Sequence, residues 1–233
     1  MIRSIAFALV AMLAGSALAA DSKDAVSGAA KKLADAANYS WTTTMDLGAN
    51  SQFQPGPTQG KIEKDGYAVI TSTRGNNTTQ TVIKGTKGAI QTQDGWQSAE
   101  ELAQDTQGRG RFMARMVQNF KAPAAQAEDL ASKAKDLKEA DGVYSGDLTE
   151  EGAKALMTFG GRGGANAPAI TGAKGTAKFW VKDGALAKFQ THVQGKRTVN
   201  NEERDIDITS TTEIKDVGST KVDVPEDAKK KIG

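Results

Sequence analysis

The chain has 233 residues, with 30 lysines and arginines against 28 aspartates and glutamates, one histidine and no cysteine. Without cysteine it has no disulfide framework, no thiolate metal site, no cysteine nucleophile and no residue to carry a bacterial lipoprotein's lipid. A net charge of +2 gives no nucleic-acid footprint, and the single histidine, His192, builds no histidine-rich metal site and has no Gly-x-Ser-x-Gly elbow to serve.

Met1-Ile2-Arg3-Ser4 opens the chain with one positive charge, residues 5–13 are almost unbroken apolar sequence, and Ala17-Leu18-Ala19 ends a run of small residues. Charge, apolar core and A-x-A site in that order read as a cleavable signal peptide over residues 1–19, cut after Ala19 or Ala20. The apolar core falls short of the ~20 residues that span a bilayer. Residues 20–233 then form a single domain that works outside the cytoplasm, periplasmic or secreted, and not lipidated. A chain of this length buries roughly 70% of its unfolded surface, enough to rely on its own core without disulfides.

Val26, Ala29, Ala30, Leu33 and Ala37 recur at helical spacing and predict a helix over residues 24–37, stopped at Asn38. Residues 39–46 are β-branched and aromatic and alternate, which predicts a strand. Residues 52–60, which hold Pro55-Gly56-Pro57, read as a loop. Residues 61–63 and 67–73 flank Asp65-Gly66 as strand, turn, strand; strands at 78–84 and 89–92 follow, and Asp94-Gly95-Trp96 closes the series. Turns at roughly 8–12-residue spacing are the rhythm of an antiparallel meander.

Ser98-Ala99-Glu100-Glu101 reads as a capping box with Ser98 as N-cap. Residues 109–120 read as a helix with Phe112, Met113, Met116, Val117 and Phe120 on one face, and Pro123 suits the first position of a further helix to about 134. Together these make a helical insert over about residues 98–134. Residues 135–140 and 143–147 read as strands around Asp141-Gly142, and Asp147-Leu148-Thr149-Glu150 as a second capping box opening a short helix to Met157. The glycine-rich segment 160–175 reads as a loop; it lacks the Gly-Lys-Ser/Thr of a phosphate loop.

Residues 176–182 and 185–194 form a hairpin around Asp183-Gly184. A two-residue turn pairs Lys182 with Ala185 and Val181 with Leu186, placing Phe179, Val181 and Leu186 on one face and Trp180, Phe189 and Val193 on the other. Large apolar residues on both faces fit a sheet covered on both sides, or a bulge that changes the register. His192 reads as a strand residue facing solvent or a polar seam. In residues 204–214, Ile206, Ile208, Ser210, Thr212 and Ile214 share one face, and Asp205, Asp207, Thr209, Thr211 and Glu213 take the wet one. A last short strand stops at Pro225, and Lys229-Lys230-Lys231 reads as a solvated tail. Helix, meander, helical insert and meander make an α+β domain.

The leading helix feeding the Trp41 strand, the Phe179-Trp180-Val181-Lys182-Asp183-Gly184-Ala185-Leu186 hairpin, and the tail Thr211-Thr212-Glu213-Ile214-Lys215-Asp216-Val217-Gly218 with Val222-Asp223-Val224-Pro225 resemble the LolA/LppX-type superfamily of envelope lipid and lipoprotein carriers. The resemblance covers most of residues 20–233. It implies a strongly curved antiparallel sheet, an unclosed barrel, with helices packed on its concave side, and no catalytic residue, metal or cofactor. It also implies a cavity for acyl chains between sheet and helices, walled by Trp41, Met45, Trp96, Phe112, Met113, Met116, Phe120, Trp180 and Phe189. The same residues packed on one another would instead make a filled core.

The implied partner is a lipid or an acylated protein. Arg109, Arg111 and Arg115 are candidates for transient contact with an anionic membrane, or a solvated face. The alternative is a non-enzymatic envelope module with a filled core, binding a protein partner through a sheet edge or the glycine-rich loop; the polar composition favours it. Glu202, Glu203, Asp205 and Asp207 have no ligand or catalytic spacing, so no enzyme is expected.

Overall fold

The computed structural model describes residues 13–49, 51, 54–75, 77–105, 108–158, 169–199 and 202–233. Residues 1–12 of the expected signal peptide and 159–168, which hold most of the expected glycine-rich loop, lie outside the described residues. In chain order the elements are α1 (Leu13–Ala34), β1 (Asn38–Asp46), β2 (Thr58–Glu63), β3 (Ala68–Arg74), β4 (Asn77–Lys84), β5 (Lys87–Thr92), β6 (Gly95–Ser98), α2 (Ala99–Ala103), α3 (Arg109–Gln118), α4 (Pro123–Lys133), β7 (Lys138–Ala140), β8 (Val143–Asp147), α5 (Glu150–Met157), β9 (Ile170–Lys182), β10 (Ala185–Val199), β11 (Glu202–Lys215) and α6 (Glu226–Ile232).

All eleven strands join one antiparallel sheet in the order β6-β5-β4-β3-β2-β1-β11-β10-β9-β8-β7. The edges β6 and β7 do not pair, so the sheet is not closed. Its two halves are meanders that run outward from a central seam, where Trp41 of β1 opposes Ile214 of β11. The pairings fix which residues share a face. Trp41, Gly60, Ile70, Thr212, Phe189 and Phe179 fall on the inner face, and Asp205, Asp207, His192 and Trp180 on the outer one.

Helices α1 to α5 lie on the inner face. The larger core cluster joins Val26, Ala29, Ala30 and Leu33 of α1 to Tyr39, Trp41, Phe179, Phe189 and Val193 of the sheet and to Ala127, Leu130 and Ala131 of α4. A second cluster joins Ala68, Ile83 and Ile90 to Leu102 of α2 and to Ala114 and Val117 of α3; Ile62, Ile70 and Phe120 touch both. On the outer face, Val69, Val82 and Ala89 are covered by Ala228 and Ile232 of α6.

The hairpin alternative resolves as a bulge. Ala185 pairs with Lys182 and Leu186 with Val181, but the register then shifts, so that Lys188 faces Trp180 and Phe189 faces Phe179. The extra residue, Ala187, carries Phe189 and Val193 to the inner face, where Phe179, Leu186, Phe189 and Val193 are all buried. Trp180 is left outside, with the Lys188 ammonium 3.9 Å from its ring centroid.

Several boundaries differ from the sequence-based expectation. Helix α1 starts at Leu13 and ends at Ala34, short of residue 37. One more strand, β6, precedes the Ser98 capping box, whose reciprocal bonds with Glu101 are both present at 2.8 and 3.1 Å. The N-cap of α5 is Thr149, not Asp147: Thr149 Oγ1 accepts the Gly152 N–H at 3.0 Å, while Asp147 still pairs with Thr176. Residues 170–175 of the expected loop belong to β9. The lysine run is not a free tail but the exposed side of α6. Lys229 and Lys230 pair one turn back with Glu226 and Asp227, and Lys231 reaches Glu101 at 2.7 Å. Exposed pairs contribute little, so the buried Ala228 and Ile232 hold α6 in place.

Candidate functional site

The inner face is centred on Trp41. It alternates inward from β1 with Tyr39, and across from it β2 places Gly60. A Cβ at Gly60 would overlap Cζ2, Cε2 and Cη2 of Trp41, so the indole lies directly over the glycine backbone. Phe120, just beyond the end of α3, packs nearly parallel to the indole, with centroids 6.3 Å apart and planes at 25°. Tyr39 meets it tilted at 50° and 5.9 Å. The two core clusters meet at this aromatic seam.

Burial pushes the Tyr39 phenol up from 10.0 to about 12, partly offset by a hydrogen bond with the Ala124 backbone. The native chain therefore keeps a proton that the unfolded chain releases above pH 10. The resulting stability is full below pH 10 and is lost as pH rises through about 12. A two-unit shift corresponds to about 3 kcal/mol, so the stability of wild type, measured by denaturant titration, is expected to fall relative to that of Tyr39→Phe by that amount over this window. Curves that stay parallel through the window would contradict the burial of the phenol.

Helix α3 lies over β5, where a Cβ on Gly88 would run into Val117. Small residues make this approach: Gly110, Ala114 and Val117 are buried, and Met113 is half-buried. The expected apolar arc is real, but the sheet takes only its Val117 side. Phe112 and Met116 remain 38% and 54% exposed.

The expected wall residues are thus divided. Trp41, Phe120 and Phe189 belong to the larger inner cluster, Met113 to the smaller one, and Met45 is half-buried further along β1 on the Trp41 face. Trp96 packs on the outer face with the α6 cluster, and Trp180 is also outside. Sequence reasoning missed Gly60 and Tyr39. Gly60 reads from the sequence as the end of the 52–60 loop, but β2 already starts at Thr58 and takes it into the sheet.

Two open depressions among the described residues are lined mostly by polar and charged residues. One of about 630 Å³ lies where α2 and the start of α3 meet β4 to β6, lined by Asn77, Gln91, Gln97, Glu101, Asp105 and Arg109, with Leu102 and Met113 as its apolar members. Another, of about 370 Å³, is lined by Lys135, Asp136, Lys138, Asp147 and Lys178 beside β7 to β9. The inner seam itself is packed side chain on side chain.

On the outer face His192 behaves as a polar-seam residue: its Nε2 lies 2.8 Å from Asp207 Oδ1, and Gln194 Nε2 donates to Asp207 Oδ2 at 2.9 Å. Gln194 first, and His192 second, hold the Asp207 carboxyl below its usual range. Among the described residues no group of three or more histidines and carboxylates is placed to hold a metal, and no helix is long and apolar enough to cross a membrane.

No family model and no curated protein matches the sequence. Solved structures do. Lipoprotein LppX of Mycobacterium tuberculosis has a TM-score of 0.48 at 10% identity, over 88% of this chain and 99% of its own. LprF of Mycobacterium bovis gives 0.47 at 11% identity, over 90% and 98%. A LolA superfamily protein of Nitrosomonas europaea gives 0.33 at 10%, over 90% and 96%. This chain's own architecture is one unclosed antiparallel sheet with helices laid on its inner face.

Proposed function

We propose that this chain is an exported, non-enzymatic carrier of a lipid or of a lipoprotein's acyl chain, described here with its cargo seam closed. The observation that carries the reading is the seam itself. Trp41 rests on a bare glycine, Phe120 from the end of α3 covers it, and α3 meets the sheet where Val117 sits over Gly88. Opening the seam takes large apolar side chains out of contact, so it needs a cargo that replaces those contacts. Swinging α2 and α3 outward would uncover Trp41, Ile62, Ile70, Phe120 and Met113 as one apolar trough. An acyl chain laid there would lose water at about 0.8 kcal/mol per CH₂. Cleavage after Ala19 or Ala20 would spare Val26, Ala29, Ala30 and Leu33, the α1 residues that face the core.

One observation favours the second reading, an envelope protein-interaction module: the inner core is filled, and the two open depressions are lined mostly by polar and charged residues. Native mass spectrometry with lipid extraction, on protein purified from its own envelope, separates the two. A co-purifying lipid or acylated protein is the expected result. A bare protein that also refuses added fatty acid and phospholipid would overturn the carrier reading and leave the module.

A further inference from the structure

Three large apolar side chains are exposed among the described residues, Phe112, Met116 and Val217, and two of them sit one turn apart on α3. The same helix buries its glycine and an alanine. A helix that turns Gly110 and Ala114 inward and leaves Phe112 and Met116 in water forgoes the larger hydrophobic gain open to it. α3 also carries Arg109, Arg111 and Arg115, all exposed, and no acidic residue. At about 100° per residue, Arg109 and Arg115 fall on opposite sides of the Phe112–Met116 stripe. Arg111 Nε donates to the Asp105 carbonyl at 3.0 Å, which leaves its charge in place.

We infer that this side of α3 docks on an anionic lipid bilayer. Phe112 and Met116 enter the boundary between headgroups and acyl chains, and the arginines engage headgroup phosphates. A stripe two residues long is far below the roughly 800 Å² that each partner of a stable protein pair buries, whereas a bilayer needs only shallow insertion and opposite charge. The carrier reading supplies the purpose, and for that purpose the inference rests on it. Phe120 follows directly on α3 and covers Trp41, so the helix that docks is the one whose movement would open the seam at the membrane.

The test is sedimentation of the full chain with vesicles of phosphatidylcholine alone or of phosphatidylcholine with phosphatidylglycerol. Binding is expected to the second only, and to weaken as salt is raised. R109Q/R115Q is expected to lose about fivefold per charge, or about twenty-five-fold, and F112S/M116S about thirtyfold, with thermal midpoints near that of wild type because these side chains are exposed. Equal binding to both vesicles, or wild-type binding by F112S/M116S, overturns the inference. So does a wild type that ignores both vesicles. Uptake of detergent-dispersed fatty acid, measured in parallel, keeps the two readings apart: docking lost with uptake intact refutes the surface alone, and uptake absent with docking intact refutes the carrier alone.

Discussion

Gly60→Ala is expected to cost about 3 kcal/mol of unfolding free energy, more than a strand glycine normally carries, because the new methyl group lands inside the Trp41 indole. The strand backbone cannot retreat: Gly60 is paired on one side with Trp41 and on the other with Ile70. The indole must therefore leave the glycine, and its packing with Phe120 goes with it. Trp41→Ala alone should cost about 3–5 kcal/mol as a large buried aromatic. Together the two changes should be strongly non-additive, since without the indole the added methyl meets no obstacle there. Denaturant titration of both single variants and the double variant reads this as a cycle. Additive costs would show that Trp41 does not lie on Gly60.

Phe179→Ala should be equally severe, at about 3–5 kcal/mol. Phe179 is fully buried, with Phe189 opposite it in β10 and Tyr144 opposite it in β8. This position depends on the bulge at Ala187. In an unbulged hairpin Phe189 would stand on the other face, and Phe179 would lose its aromatic partner in β10. Phe189→Ala should accordingly be costly too, with the two losses coupled. If Phe189→Ala cost under about 1 kcal/mol, the unbulged register would be the true one.

The parts of the fold legible in the sequence are those where one face is dry and the other wet. Residues 204–214 alternate so strictly that Ile206, Ile208, Thr212 and Ile214 could be put on one side before any pairing was known, and β11 places them there. The Ser98–Glu101 box was legible because its chemistry is local. Other features depend on neighbours far along the chain. Ala187 carries no bulge signature, yet it decides the face of Phe189. The arc from Phe112 to Phe120 is a sound helix pattern, but the half that meets the sheet is the one whose Val117 fits over Gly88. In α6 a run of three lysines hides the four-residue spacing of Ala228 and Ile232, the two buried side chains that the helix sets on the outer face.

The candidate site was legible in half. Trp41, Met113, Phe120 and Phe189 could be selected as large apolar residues in ordered elements, and they do gather on the inner face. Trp96 and Trp180 have the same composition signal but the opposite strand parity. Size and apolarity do not report parity; register does.

The central claim is that an acyl chain reaches Trp41 by displacing Phe120. Trp96 and Trp180 lie on the outer face, so the variant W96F/W180F leaves Trp41 as the single tryptophan, excited selectively beyond tyrosine absorption, without disturbing the seam. Titrating it with a brominated fatty acid should quench Trp41 emission saturably, and the unbrominated acid should compete the quenching away. Emission that stays unchanged, while the variant remains folded by circular dichroism, would mean that no acyl chain reaches Trp41 and that the seam is simply core.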